Sequence, residues 1–139
     1  MEQISHYGNL NISLGWITMV LGILSGSIIG LWAFAGPFKP PKGHEDYANL
    51  SRRMVRLAHI AMFMLPLISI VYGQHLDQIP LSDSWKLTGA WTWIVCMLGV
   101  PSALIAASFQ IWFKYVASIP VTCGIVALCI MAYGQFLLI

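Results

Sequence analysis

Four long apolar segments, separated by short polar stretches, account for most of the chain. They lie near residues 11–35, 53–74, 87–109 and 115–138. Each is long enough to cross a hydrocarbon core of about 30 Å, because a helix needs about 20 residues to do so. The sequence therefore predicts an all-α integral membrane protein, in which a single domain of four transmembrane helices forms an up-down bundle.

The distribution of charge predicts the orientation of this bundle. Charged residues make up 9% of the chain, whereas a soluble domain carries about 25%. Most of the basic residues fall on one side of the predicted bundle: Lys39, Lys42, Arg52, Arg53, Arg56 and Lys114. The positive-inside rule then places both termini on the non-cytoplasmic side of what we expect to be a bacterial inner membrane. The net charge of +2 reflects this topology, so we expect no nucleic-acid partner.

Glycines recur every four residues in the first segment, where each costs a helix roughly 1 kcal/mol relative to alanine. In a membrane, rows of small residues let two helix backbones approach closely. We expect helix contacts through Thr18, Gly22, Gly26 and Gly30 in the first helix, and through Gly99, Ala103 and Ala107 in the third. The sequence leaves open whether the partner helix belongs to this chain or to another subunit.

His59 is the one ionisable residue well inside an apolar segment, and such residues are functional candidates by default. The simplest interpretation is a neutral histidine that is hydrogen-bonded to a neighbouring helix. The alternative is a haem b with His59 as an axial ligand and Arg52 or Arg56 near the propionates. No other segment supplies a histidine at the same depth, and His44 would reach only if its loop folded back.

Three arginines, Arg52, Arg53 and Arg56, lie at the start of the second predicted helix. Basic residues there oppose the helix dipole, so a role in helix stability does not explain them. We expect them to contact anionic lipid headgroups or an acidic partner at the inner face of the membrane.

Two histidines and a carboxylate flank the first two predicted helices on the side of the bundle that lies opposite the arginines. They are His6, His75 and Asp77. These residue types can bind a transition metal, but they come from a chain terminus and a loop and lack the spacing of a metal motif. They are therefore weak metal candidates.

Chemical groups that catalysis would need are missing from the apolar segments. None of the apolar segments contains a carboxylate, which argues against a small proton-coupled antiporter. The three cysteines form no CxxC pair, which argues against a thiol oxidoreductase. We expect a non-catalytic accessory subunit of a larger membrane complex, respiratory or photosynthetic, with other membrane subunits and lipids as partners. A small b-type cytochrome is the alternative, and a lipid- or quinone-binding membrane protein is a weaker one.

Overall fold

The computed structural model of the chain describes residues 7–32 and 36–139, and all regular structure in these residues is helical. The helices are α1 (Tyr7–Leu31), α2 (Leu50–Leu76), α3 (Asp83–Phe109), α4 (Phe113–Val116) and α5 (Ser118–Phe136). Four stretches are long and apolar enough to span a membrane, the last one comprising α4 and α5 together. The prediction of an all-helical protein with four helices of membrane-spanning length is therefore confirmed for the described residues.

A carboxylate from the α2–α3 connection fixes the start of α1. The side chain of Asp77 accepts hydrogen bonds from the backbone amides of Tyr7 and Gly8, at 3.1 and 3.2 Å. The first amides of a helix have no partner within the helix, so this carboxylate satisfies two of them. As a result α1 begins earlier than the predicted span. It ends at Leu31, and the predicted end of the span at residues 33–35 lies outside the described residues.

The start of α2 is also fixed by a side chain. Asn49 precedes the helix and its side-chain oxygen accepts a hydrogen bond of 3.2 Å from the amide of Ser51. Asparagine is a preferred residue at this position because it satisfies an otherwise unpartnered amide. The helix therefore starts at Leu50, before the predicted span.

The row of α1 residues that faces α2 is spaced by three and four positions, and we call it the α1–α2 seam. Its buried members are Gly8, Asn11, Gly15, Thr18 and Gly22. Gly8 lies against the backbone of Gly73, whereas Gly22 lies against the carbonyl of Met62. The beginning of α1 is therefore beside the end of α2. We refer to this end of the protein as the Asp77 end, and to the opposite one as the Arg52 end.

The seam accommodates a disturbance in α2. Pro66 has no amide hydrogen, so the carbonyl of Met62, four residues earlier, loses its partner within the helix. A Cβ atom at Gly22 would stand 2.9 Å from this Met62 oxygen, and one at Gly15 would stand 3.0 Å from the Pro66 oxygen. Both glycines therefore leave room for α2 carbonyls that a larger residue would push away.

Only part of the predicted small-residue row lies in the seam. Thr18 and Gly22 are buried there, and Gly26 is half-buried against the ring of His59. Gly30 is exposed, and a Cβ added to it would meet no described atom within 4 Å, so it is not part of the seam, and its contact with a helix of another subunit stays a prediction. Positions four apart drift by about 40° at each step around a helix, so a row spaced only by four leaves the contact face.

The rest of the core joins α3 to α2 and α5. Gly99 of α3 packs against the ring of Pro120, while Ala103 and Ala107 are buried. Near the Asp77 end, the Tyr72 ring stacks on Trp93 with 5.6 Å between centroids, and its hydroxyl donates to a carbonyl of α5. The core cluster at this end consists of Tyr72, Leu76, Ile79, Ala90, Trp93 and Ala127.

A matched pair of glycine substitutions tests the seam. Gly22→Leu forces a side chain against the Met62 carbonyl, and we expect it to lower the free energy of unfolding by about 1–3 kcal/mol. Gly30→Leu enters open space and improves helix propensity, so it should leave stability unchanged or raise it by up to about 1 kcal/mol. Unfolding in mixed detergent micelles measures both. Equal losses in the two variants would contradict the assignment of the contact face.

Candidate functional site

A cleft of about 240 Å³ lies between α1, α2 and α3, toward the Arg52 end. Its walls are largely apolar and include Ile29, Val55, Met62, Ile105 and Phe109, with Ser25 and His59 among them. An apolar pocket with a few polar groups is the arrangement expected of a small-molecule site. This cleft is therefore the candidate functional site.

The position of His59 in this cleft depends on α1. A Cβ atom at Gly26 would stand 2.5 Å from Cε1 of His59, so the ring can lie here only because that position has no side chain. The Phe63 ring meets the imidazole edge to face, with 5.1 Å between centroids. Nδ1 of His59 is 3.1 Å from the hydroxyl of Ser25, which donates a hydrogen bond of 2.7 Å to the carbonyl of Gly22. The imidazole is thus held in a defined orientation by contacts on two helices.

His44 comes close to the cleft from the segment before α2. It is 2% exposed, and its ring lies 5.2 Å from the ring of Phe109, a residue of the cleft wall. The segment does fold back toward the helices, as a second histidine near His59 would require. His44 is nevertheless not a lining residue of the cleft, and its Nε2 has no hydrogen-bond partner among the described residues.

Arg52 holds this segment in place. Its guanidinium donates hydrogen bonds to the carbonyls of Trp32, His44 and Glu45, at 3.0, 3.2 and 3.4 Å. The residue is 8% exposed. These donors of Arg52 are directed to backbone carbonyls of the protein itself, and its contact with lipid headgroups or haem propionates stays a prediction.

The other two arginines differ in their surroundings. Arg53 is exposed, and Arg56 is half-buried with its guanidinium carbon 4.0 Å from the centroid of the Tyr47 ring. A cation over an aromatic face is attracted by the ring quadrupole. Three arginines were predicted to contact lipid headgroups or a partner, and of these Arg53 is the one that is exposed in the structure.

The weak metal candidates have other contacts. The Asp77 carboxylate binds the first amides of α1, and the Asp77 carbonyl accepts a hydrogen bond from Lys86. His75 is exposed, and its Nδ1 lies 2.9 Å from the carbonyl of Val71. His6 lies outside the described residues. No group of three or more His, Cys, Asp or Glu side chains suited to a metal occurs within the described part of the chain.

Ser25 and Phe109 were not predicted as residues of the site. Ser25 precedes Gly26 in a row of small residues, and nothing near it in the sequence indicates a hydrogen-bond partner for its hydroxyl. Phe109 is the last residue of α3, and nothing in its apolar surroundings distinguishes it from a lipid-facing residue.

Comparison with known protein families, with curated proteins and with solved structures finds no match to this chain.

The contrast between two adjacent arginines gives a prediction for the Arg52 end. Arg52→Ala removes the donors for three carbonyls, and we expect the free energy of unfolding to fall by about 1.5–3 kcal/mol, as for hydrogen bonds to charged groups. Arg53→Ala alters an exposed side chain and should change it by less than about 0.5 kcal/mol. Denaturation of both variants in detergent measures the difference. Faster proteolysis within residues 36–49 of Arg52→Ala should accompany the loss of stability. Equal stability of the two variants would contradict the role of Arg52 in holding this segment.

Proposed function

We propose that this protein is a non-catalytic accessory subunit of an energy-converting complex in a bacterial inner membrane, and that it holds an apolar ligand in the His59 cleft. In this proposal α1, α2, α3 and the α4–α5 pair cross the bilayer up and down. Both termini are on the non-cytoplasmic side. The partners are other membrane subunits and lipids.

The observation that carries the proposal is the Ser25–His59 hydrogen bond at the wall of an apolar cleft. A polar side chain in a membrane-spanning segment is costly, and a residue needed only for packing could be apolar. Here two polar side chains from different helices are joined beside open space. A lipid-soluble ligand, such as a lipid or a quinone-class compound, has the chemistry that such an apolar cleft would accept.

Charge at the Arg52 end supports the proposed orientation. Lys39, Lys42, Arg53 and Lys114 are exposed there. Basic residues next to membrane spans concentrate on the cytoplasmic side, where they also attract anionic lipid. This end would therefore face the cytoplasm.

The b-type cytochrome receives less support as a function. His59 could offer one nitrogen to iron, but Arg52 is bound to three carbonyls and Arg56 lies over Tyr47. The residues expected at the haem propionates thus have other partners. A reduced-minus-oxidised absorbance spectrum of the purified protein would detect a haem directly.

Two tryptophan substitutions on α3 test the ligand. Ile105 lines the cleft and is 40% exposed, whereas Leu98 does not line it, has 41% exposure and lies seven residues earlier on nearly the same helix face. The tagged wild type, Ile105→Trp and Leu98→Trp are purified from the native membrane in mild detergent. Solvent extracts and co-purified proteins are then analysed by mass spectrometry.

We expect an apolar compound in fixed ratio with the wild type and with Leu98→Trp, and its loss from Ile105→Trp because the indole fills the cleft. Other membrane subunits should be recovered in fixed ratio with the wild type. Equal recovery of the compound from both variants would contradict the cleft as its site. Recovery of the chain without other subunits would contradict the accessory role.

A further inference from the structure

A polar recess of about 200 Å³ lies beside the His59 cleft at the Arg52 end. We call it the Arg52 recess, and its lining residues are Trp32, Pro40, Glu45, Tyr47 and Arg52. Trp32 lines the cleft as well, so the recess and the cleft meet at this residue. The walls of the cleft are largely apolar, whereas the recess contains a guanidinium and a carboxylate.

The hydrogen bonds that hold these two charged side chains do not neutralise them. Arg52 is 8% exposed, and the three groups that accept its hydrogen bonds are carbonyls, which carry no net charge. The Glu45 carboxylate accepts a hydrogen bond of 2.8 Å from the amide of Gly43, which is also uncharged. A ligand with one negative and one positive group would therefore complement the recess.

We propose that the ligand of the His59 cleft is a phospholipid with an ethanolamine headgroup, whose acyl chain lies in the cleft and whose headgroup lies in the Arg52 recess. The phosphate is on the side of Arg52, and the ammonium donates hydrogen bonds to the carboxylate of Glu45. This inference rests on the proposed function and names the ligand of the same cleft.

An acyl chain suits the His59 cleft because it needs no hydrogen bond from the cleft walls. The two polar side chains there, Ser25 and His59, already bond to each other. An apolar protein cavity of about 150 Å³ is known to hold benzene, and the cleft of about 240 Å³ leaves space for a longer chain segment. In the proposed orientation the recess is at the cytoplasmic interface, where tryptophan and tyrosine side chains such as Trp32 and Tyr47 commonly lie beside headgroups.

The side chains of the recess favour ethanolamine over choline and glycerol headgroups. A quaternary ammonium is typically bound by several aromatic faces, but the Arg56 guanidinium already lies over the ring of Tyr47. A primary ammonium instead donates hydrogen bonds to a carboxylate, which Glu45 supplies. Phosphatidylglycerol has no positive group, so it would leave the charge of Glu45 uncompensated next to an anionic lipid.

The test compares Glu45→Gln with Asp46→Asn. Both carboxylates are exposed and each accepts a hydrogen bond from a nearby backbone amide, but Glu45 lines the recess and Asp46 does not. Phosphatidylethanolamine, phosphatidylcholine and phosphatidylglycerol with identical acyl chains are added to the delipidated full-length protein in detergent. Native mass spectrometry measures their binding, and glycerophosphoethanolamine, which has no acyl chains, is added as a competitor.

We expect the wild type and Asp46→Asn to bind phosphatidylethanolamine roughly tenfold more tightly than the other two lipids, the difference of one hydrogen bond to a charged group. In Glu45→Gln the preference over phosphatidylglycerol should disappear, because the amide neither attracts the ammonium nor repels the anionic lipid. A structural defect would instead lower all three affinities together. Ile105→Trp should weaken all three lipids by a similar factor, because the indole blocks the acyl chain and leaves the recess intact.

Other outcomes overturn the inference in distinguishable ways. Equal binding of phosphatidylethanolamine and phosphatidylglycerol to the wild type, or the same lipid preference in Glu45→Gln and Asp46→Asn, would contradict the headgroup assignment. If glycerophosphoethanolamine binds as tightly as the whole lipid, the recess is a site for a soluble phosphate ester and the inference fails. If no phospholipid binds but Ile105→Trp still loses an apolar compound, this inference fails and the proposed function stands. If no phospholipid binds and no compound is lost from Ile105→Trp, both proposals fail.

Discussion

In the membrane that we propose for this protein, apolar side chains gain little by leaving lipid for a neighbouring helix, so α1 and α2 would need close backbone contact to hold together. Glycines of the α1–α2 seam provide that contact, with Gly8 against Gly73 and Gly22 against the Met62 carbonyl. The same closeness lets the imidazole of His59 lie over Gly26 and reach the hydroxyl of Ser25. The geometry of the candidate site is therefore a consequence of how near the two backbones come.

Polar groups inside the protein follow the same constraint. In the seam, Ser69 donates to the carbonyl of Asn11, and the Asn11 amide donates to the carbonyl of Ala90 on α3. These bonds link three helices at one level. At the Arg52 end, the guanidinium of Arg52 fixes the segment before α2, because it donates hydrogen bonds to three carbonyls that are not part of helical hydrogen bonding. Each of these contacts needs a short distance between backbones, which small residues and a folded-back segment supply.

The helical class and the four stretches of membrane-spanning length could be predicted because long apolar runs have few alternatives in a chain with so little charge, whereas the division of the last stretch into α4 and α5 was not predicted. The contact face of α1 was harder to predict from the sequence. A row spaced by four includes Gly22 but reaches the exposed Gly30, whereas the buried row alternates three and four and contains Gly15, which the prediction omitted.

The burial of Arg52 could not be predicted from its position beside Arg53 and Arg56, because its carbonyl partners come from residues that folding brings near. For the same reason the Ser25–His59 pair, 34 positions apart, has no local signal in the sequence.

The core cluster near the Asp77 end and the surroundings of His59 are packed differently. At the Asp77 end, Tyr72 and Trp93 stack and fill the space between α2, α3 and α5, and Gly134 brings α5 against Ile79. Toward the Arg52 end the α1 glycines continue, but the facing side chain is an imidazole that its contacts hold in one orientation. A ring fixed in this way cannot rotate to fill neighbouring space as a flexible side chain would. The open volume beside His59 is thus tied to the contacts that orient its imidazole ring.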